Sequence, residues 1–253
     1  MLLEHKVVIV TGGGHGIGRA YCHGIAREGG KVVVADVDGA AADTVAEEIS
    51  GEGGQALAVQ SDVSNLASCQ DMATQALNRF GQIDGLINNA AIFATIPISR
   101  VGFQDISEDE WDRVMDVNVK GVWLCSRAVA PAMQERKQGS IVNIASGTVL
   151  NGSAGRIHYV ASKAAVVGFS RVLARELGPD NVRVNTIAPG STLSESEVTD
   201  EILKLRQANV GNRALKRVER PEDLVGTALY LLSDLSGFVT GQMIVVGGGD
   251  VMY

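Results

Sequence analysis

The stretch from residue 6 to residue 36 constrains this chain more than any other. It runs KVVIVT, then GGGHGIG, then an amphipathic segment RAYCHGIAREGG, then KVVVAD. The first and last pieces are β-branched runs of strand length, and the third carries apolar residues at helical spacing before glycines stop it. Two strands joined through one helix must pair in parallel, because a hairpin cannot make that connection. A parallel sheet needs helices on both faces, so the chain is committed to an α/β architecture from its first residues.

In the glycine turn, Gly12, Gly16 and Gly18 are the outer glycines and Gly14 lies between them. Without a Cβ such positions take tight turns and let the backbone close on a ligand, while the first N–H groups of the following helix point at an anion. A pyrophosphate suits that arrangement, although a plain tight turn has the same composition. The second strand ends at Asp36, eighteen residues after Gly18, where a nucleotide-binding unit places an acid to accept hydrogen bonds from ribose hydroxyls. A carboxylate there repels a 2′-phosphate, so NAD is expected over NADP.

Further along, a helix over about 40–50 and a strand QALAVQ lead to Asp62-Val63. Asp62 is placed either to bond an adenine amine or to make a helix-capping turn with Ser64. A helix over about 66–80 precedes IDGLINN, whose Asn88-Asn89 falls at the carboxyl end of a strand, where open α/β sheets hold ligands. The segment to Val101 reads as loop. Ser107 with Glu110 forms a capping box for a helix through about Glu135, and Asn118 lies near its middle, where an amide competes with the backbone. A strand SIVNIA, a helix ending near Gly178-Pro179, and a strand VRVNTIA follow. Residues 191–213 are polar, with an amphipathic turn or two, and read as a flap over a site. Pro221 opens a further helix, and TGQMIVVGG is the last of seven strands. Hydrophobic residues at 45%, aromatic ones at 4% and 30 glycines suit buried Val/Ile/Ala strands with close helix packing. One domain over 1–253 is expected.

Between strand five and the next helix, Ser146 sits in a small-residue turn, and Tyr159 and Lys163 stand four residues apart on one helix face. A phenol with an ordinary pKa of about 10 exchanges protons poorly at neutral pH. A nearby cation favours the phenolate and brings it toward the working range. The same spacing also fits a wet-ended core aromatic beside a solvated lysine.

The net charge is −7 and no Lys/Arg run resembles a nucleic-acid footprint. The apolar run after Lys6 is too short for a signal peptide or a membrane span. Cys22, Cys69 and Cys125 are widely spaced and without a CxxC pair, which points to buried free thiols in a reducing cytoplasm and to no metal site.

Taken in order, Thr11-Gly12 with Gly16-Ile17-Gly18, Asn88-Asn89-Ala90, Asn118, Ser146, Tyr159 with Lys163, and Asn185 with Pro189-Gly190 resemble the pattern of the short-chain dehydrogenase/reductase family over essentially the whole chain. The resemblance implies a Rossmann-type, doubly wound sheet of order 3-2-1-4-5-6-7, and a homotetramer. It implies that Tyr159 is the acid/base, that Ser146 bonds the substrate oxygen, that Lys163 lowers the phenol pKa and holds nicotinamide ribose hydroxyls, and that Asn118 positions a water. It places Thr11, Gly12, Gly14, His15, Gly16, Ile17, Gly18, Asp36, Val37, Asp62, Val63, Asn89, Ala90 and Ala91 at the cofactor. Ile187, Pro189, Gly190, Thr192 and Ser194 belong there too, with Tyr159 and Lys163. Departures are few: Ala91 for a common glycine, Gly247 for a common Asp, Ser194 for a frequent Thr, and His15 where NADP-preferring relatives often carry Arg or Lys.

The expected activity is NAD-dependent interconversion of a secondary alcohol and a ketone. The alternatives are a 3-oxoacyl thioester reductase and, from another class, a dinucleotide-binding regulator without chemistry. The substrate pocket is expected over 92–103, 147–158 and 191–213, with Phe93, Thr148, Ser146 and Tyr159 at the substrate. Ile92, Ile96, Val149, Leu150, Ile157 and Leu193 would make it apolar, with few charges beyond Arg100 and Arg156, so a cyclic or aromatic alcohol is expected.

Overall fold

A computed structural model describes residues 1–93, 96–195 and 198–252, with the side chain of Leu205 excepted. Ala94, Thr95, Ser196 and Glu197, which fall in the expected pocket and flap, lie outside the described residues.

Seven parallel strands form one sheet in the order β3-β2-β1-β4-β5-β6-β7. They are β1 (Val7–Thr11), β2 (Lys31–Asp36), β3 (Gln55–Gln60), β4 (Gly85–Asn88), β5 (Gly139–Ile144), β6 (Val182–Pro189) and β7 (Met243–Val246). The chain leaves β3 at one edge and re-enters as β4 on the other side of β1. That reversal opens a crevice at the carboxyl ends of β1 and β4, the place where such sheets bind ligands.

The period-two alternation of strand side chains divides the core in two. Val7, Ile9, Val33, Leu86, Ile141 and Val184 pack under α3 (Leu66–Phe80), α5 (Gly121–Glu135) and α7 (Ile157–Leu177), the last preceded by the single-turn α6 (Thr148–Asn151). Val8, Val10, Val32, Val34, Ile87 and Val142 face α1 (Gly16–Arg27), α2 (Gly39–Gly51) and α9 (Glu222–Leu232). The central strands are therefore buried on both faces, which is why they read as unbroken Val/Ile runs. The three cysteines are buried thiols, and among the described residues no helix is long and apolar enough to cross a membrane.

Three local expectations need correction. The helix over 107–135 runs unbroken but is not α-helical throughout: α4 (Glu108–Met115) passes into α5 through a π turn at Asp116–Lys120 that contains Asn118. Its capping box is only half made. Ser107 Oγ accepts from the Glu110 N–H at 3.2 Å, but the Glu110 carboxylate turns to the loop and accepts from Ser99 N–H and Oγ, each at 2.7 Å. In the 191–213 stretch the amphipathic turns form a full helix, α8 (Asp200–Ala208), opened by the Thr199 hydroxyl.

Candidate active site

A cleft of about 650 Å³ lies at the carboxyl ends of the strands and runs from Asp36 to the 191–213 segment. At one end stands the glycine turn. Gly16 has φ of +49°, and a Cβ there would meet the Ser194 carbonyl oxygen at 2.6 Å; a Cβ on Gly18 would meet the Gly12 carbonyl oxygen at 1.9 Å. Any side chain at Gly18 would push α1 off the end of β1. Asp36 is buried and held by two backbone donors, Gly14 N–H to Oδ2 at 2.9 Å and Asp38 N–H to Oδ1 at 3.0 Å. His15 and Asp38 approach to 3.4 Å beside it. Hydrogen bonds from Ala41 N–H, then from His15, hold the Asp38 carboxyl below its usual range.

Thr11 and Asn89 tie this turn to β4. Thr11 Oγ1 accepts from the N–H groups of Asn89 and Ala90 at 3.0 and 3.1 Å, and Asn89 Nδ2 donates to the carbonyls of Thr11 and Gly12, both at 3.0 Å. Deeper, Asn88 Nδ2 donates to Asn143 Oδ1 at 2.8 Å and to Ser126 Oγ at 3.2 Å, so three elements are pinned beneath the site. Asp62 makes the turn with Ser64, accepting from its N–H and Oγ at 2.9 and 2.7 Å, while its side chain still lines the cleft.

At the cleft's centre Ser146, Tyr159 and Lys163 come together, each nearly buried. Lys163 Nζ donates to the Ile144 carbonyl at 2.8 Å and sits 5.9 Å from the centre of the Tyr159 ring. Thr148 Oγ1 and N–H donate to Ser146 Oγ at 3.0 and 3.3 Å. Phe93 stacks on Tyr159 with ring centres 4.4 Å apart. Burial raises the Tyr159 phenol above its ordinary pKa, opposed by its hydrogen bond with Ser146 and by the charges of Arg156 and Arg206. Burial also brings the Lys163 ammonium down to about 8.

Asn118 is fully buried beneath the centre. Its Oδ1 accepts from Ile92 N–H at 2.8 Å and its Nδ2 donates to Ser162 Oγ at 3.2 Å, while Ser162 Oγ donates to the Tyr159 carbonyl at 2.7 Å. The π turn aims this amide inward, at the Ile92 backbone and at the Ser162 hydroxyl of the helix that carries Tyr159 and Lys163.

Most residues expected at the cofactor and substrate line the one cleft, among them His15, Ile17, Val37, Val63, Ala91, Pro189, Gly190, Thr192 and Ser194. Thr11, Gly14, Gly18, Asn118 and Ile187 do not line it. Thr11 is the brace described above, Gly14 and Gly18 pack against Ala41 and the Gly12 carbonyl, and Ile187 points into the core under α9. Of the expected pocket residues Ile92, Ile96 and Arg100 line the cleft, whereas Val149, Leu150, Ile157 and Leu193 do not. The expectation of few charges is corrected too, because Arg113 and Arg206 join Arg100 and Arg156 on the wall, and Asp250 reaches it from the C-terminal tail.

The family model for short chain dehydrogenases matches residues 6–203. This chain belongs to the short-chain dehydrogenase family. Among its relatives, a subunit of hydroxy(phenyl)methylsuccinyl-CoA dehydrogenase from Thauera aromatica is 37% identical over 100% of this chain and 99% of its own length. Cyclopentanol dehydrogenase from a Comamonas strain is also 37% identical, over 98% of this chain and 97% of its own. A solved 3-ketoacyl-(acyl-carrier-protein) reductase from Brucella melitensis, complexed with NADH, superposes with a TM-score of 0.89 at 32% identity, covering 98% of this chain and 99% of that one. Short-chain dehydrogenases use nicotinamide dinucleotides, and the turn that no Cβ could enter, with an anchored acid at the next strand's end, fits such a group.

Proposed function

We propose that this short-chain dehydrogenase interconverts a secondary alcohol and a ketone with NAD. The observation that carries the reading is the meeting of Ser146, Tyr159 and Lys163 in the same cleft as the glycine turn and Asp36. The dinucleotide, when bound, supplies the hydride acceptor in one direction and the donor in the other.

The chain's own residues do the rest. Asp36, with both oxygens fixed by backbone N–H groups, receives the adenosine ribose hydroxyls and repels a 2′-phosphate, and Asp38 beside His15 adds to that repulsion. Ser146 Oγ, already taking two bonds from Thr148, turns its own hydroxyl proton toward the substrate oxygen. Tyr159 gives or takes the proton at that oxygen. Lys163 holds ribose hydroxyls near the reacting carbon and stabilises charge on the phenol, while Asn118 orders a water on the route from Lys163 to solvent. Fixing donors where charge develops, and orienting the partners, supplies most of the rate gain in such reactions. Phe93, Ile92 and Ile96 offer the apolar contact for a ring or chain, and 191–213 acts as the flap of one 1–253 domain. We also infer a cytoplasmic homotetramer, which light scattering on the purified chain checks.

The similarity to 3-ketoacyl-(acyl-carrier-protein) reductase favours a second reading, reduction of a 3-oxoacyl thioester. A reductase of that kind complexed with NADH means that cofactor preference alone does not separate the two. The test is NAD reduction against free secondary alcohols in parallel with NADH oxidation against an acetoacetyl thioester. Turnover confined to the thioester overturns the first reading. Dinucleotide binding without turnover on either would favour a regulator.

A further inference from the structure

The cleft wall carries cations that proton exchange at Tyr159 does not require. Arg156, at the start of α7, is half-buried, and its guanidinium carbon lies 5.4 Å from the centre of the Phe93 ring. That ring in turn stacks on Tyr159 at 4.4 Å, so the guanidinium lies within those two spacings of the phenol ring. Among the described residues its hydrogen bonds run to Ser153 Oγ alone. The titratable groups that act on it, among the described residues, are Arg100, Arg206 and the Tyr159 phenol.

Arg206, 8% exposed, reaches the same wall from α8. It pairs with Glu195 and donates to Ser191 Oγ at 3.0 Å, yet among the described residues its buried Nε has no hydrogen-bond partner. Arg100 completes the group. Guanidiniums gathered on one cleft wall repel each other, and where they are partly buried, as Arg156 and Arg206 are, that repulsion is costlier. An anion of matching shape reverses the sign, and the planar fork of arginine matches a carboxylate.

From this juxtaposition we infer that the substrate is a hydroxy acid or its oxo acid, with its carboxylate held by Arg156 and Arg100 a few bonds from the carbon that reacts at Tyr159. The inference rests on the alcohol–ketone reading above. The short spacing from guanidinium to phenol ring is what selects a carboxylate on the substrate itself over a phosphate at the far end of a long carrier arm.

The test is calorimetric titration of 3-phenylpropanoate and its neutral isostere 3-phenylpropanamide, with and without NADH, at low salt. The acid should bind about tenfold or more tighter, the scale of one charge-assisted pair. Arg156→Gln and, at the exposed position, Arg100→Gln should each remove most of that preference, with circular dichroism confirming the fold. Equal binding of acid and amide, no binding of the acid, a preference that survives both substitutions, or tighter binding of 2-phenylethyl phosphate overturns the carboxylate site. NAD reduction by 3-hydroxy-3-phenylpropanoate and by 1-phenylethanol separates the two readings. A preferred acid that binds while neither alcohol is oxidised overturns only the reaction. Oxidation of 1-phenylethanol with no preference for the acid in binding overturns only the carboxylate site.

Discussion

Lys163 Nζ donates to the carbonyl oxygen of Ile144 at 2.8 Å, one full turn below the Tyr159 phenol in α7. That bond fixes the ammonium at the end of β5, inside the cleft and away from bulk water, and the cost of holding it there is visible in its pKa. Burial alone takes it from the usual 10.5 to about 8.

The first prediction concerns that cost. A basic group with a depressed folded-state pKa binds fewer protons in the folded chain than in the unfolded one between about 8 and 10.5. Stability from this group therefore rises with pH across that window, and the full penalty stands below it. Lys163→Met removes a penalty of about 3 kcal/mol and loses one hydrogen bond of about 1 kcal/mol. It should melt a few degrees higher at pH 7, with the advantage shrinking toward pH 10, and be inactive. Calorimetric melting at both values decides it; a lower melting temperature at pH 7 would contradict the account.

Tyr159 carries the second. Tyr159→Phe keeps the ring that stacks on Phe93 and removes only the hydroxyl, so dinucleotide binding followed by fluorescence should be unchanged while turnover falls by about 100-fold or more. Retention of a tenth of the activity would move the proton exchange elsewhere.

A third follows from the anchoring of Asp36 by Gly14 and Asp38 N–H groups. Asp36→Asn keeps an acceptor for one of them and removes the negative charge. The ratio of NADH to NADPH affinity should drop by about tenfold or more, with total affinity falling as the turn loosens. An unchanged ratio would show that Asp36 does not set the cofactor.

These residues were legible because their meaning is local. Gly12 to Gly18, Asp36, and the Tyr159–Lys163 pair follow from spacing along one strand or one helix, and the seven-strand order follows from the family pattern they complete. What escaped depends on contacts between distant segments. Arg206 reaches the cleft only because α8 folds back over it, and nothing in the polar run 191–213 marks one arginine among its neighbours. The π turn at Asn118 adds a residue to a helix whose apolar spacing looks continuous. The resemblance puts Ile187 at the cofactor, while its side chain packs in the core with Leu224 and Leu231.

The last prediction tests how the 191–213 segment is rooted. Thr192 and Glu219 form an isolated parallel bridge, and Glu219 Oε1 accepts from Thr192 Oγ1 at 2.9 Å and from Gly190 N–H at 3.2 Å. Arg213, 2% exposed, stands 3.3 Å from Glu219 Oε2 and donates to the Ser191 carbonyl at 2.8 Å. Burial raises the Glu219 carboxyl above its usual range despite these partners, so this acid favours folding most at low pH and contributes less as pH rises. Arg213→Met leaves a buried carboxylate without its cation and should cost about 3–5 kcal/mol, less at pH 5 than at pH 8. Adding Glu219→Gln should recover part of that loss, because the amide carries no charge to strand. Urea unfolding of the three proteins at both pH values is the measurement. A single variant as stable as the parent, or a double variant weaker than the single, would mean that the pair does not root the segment.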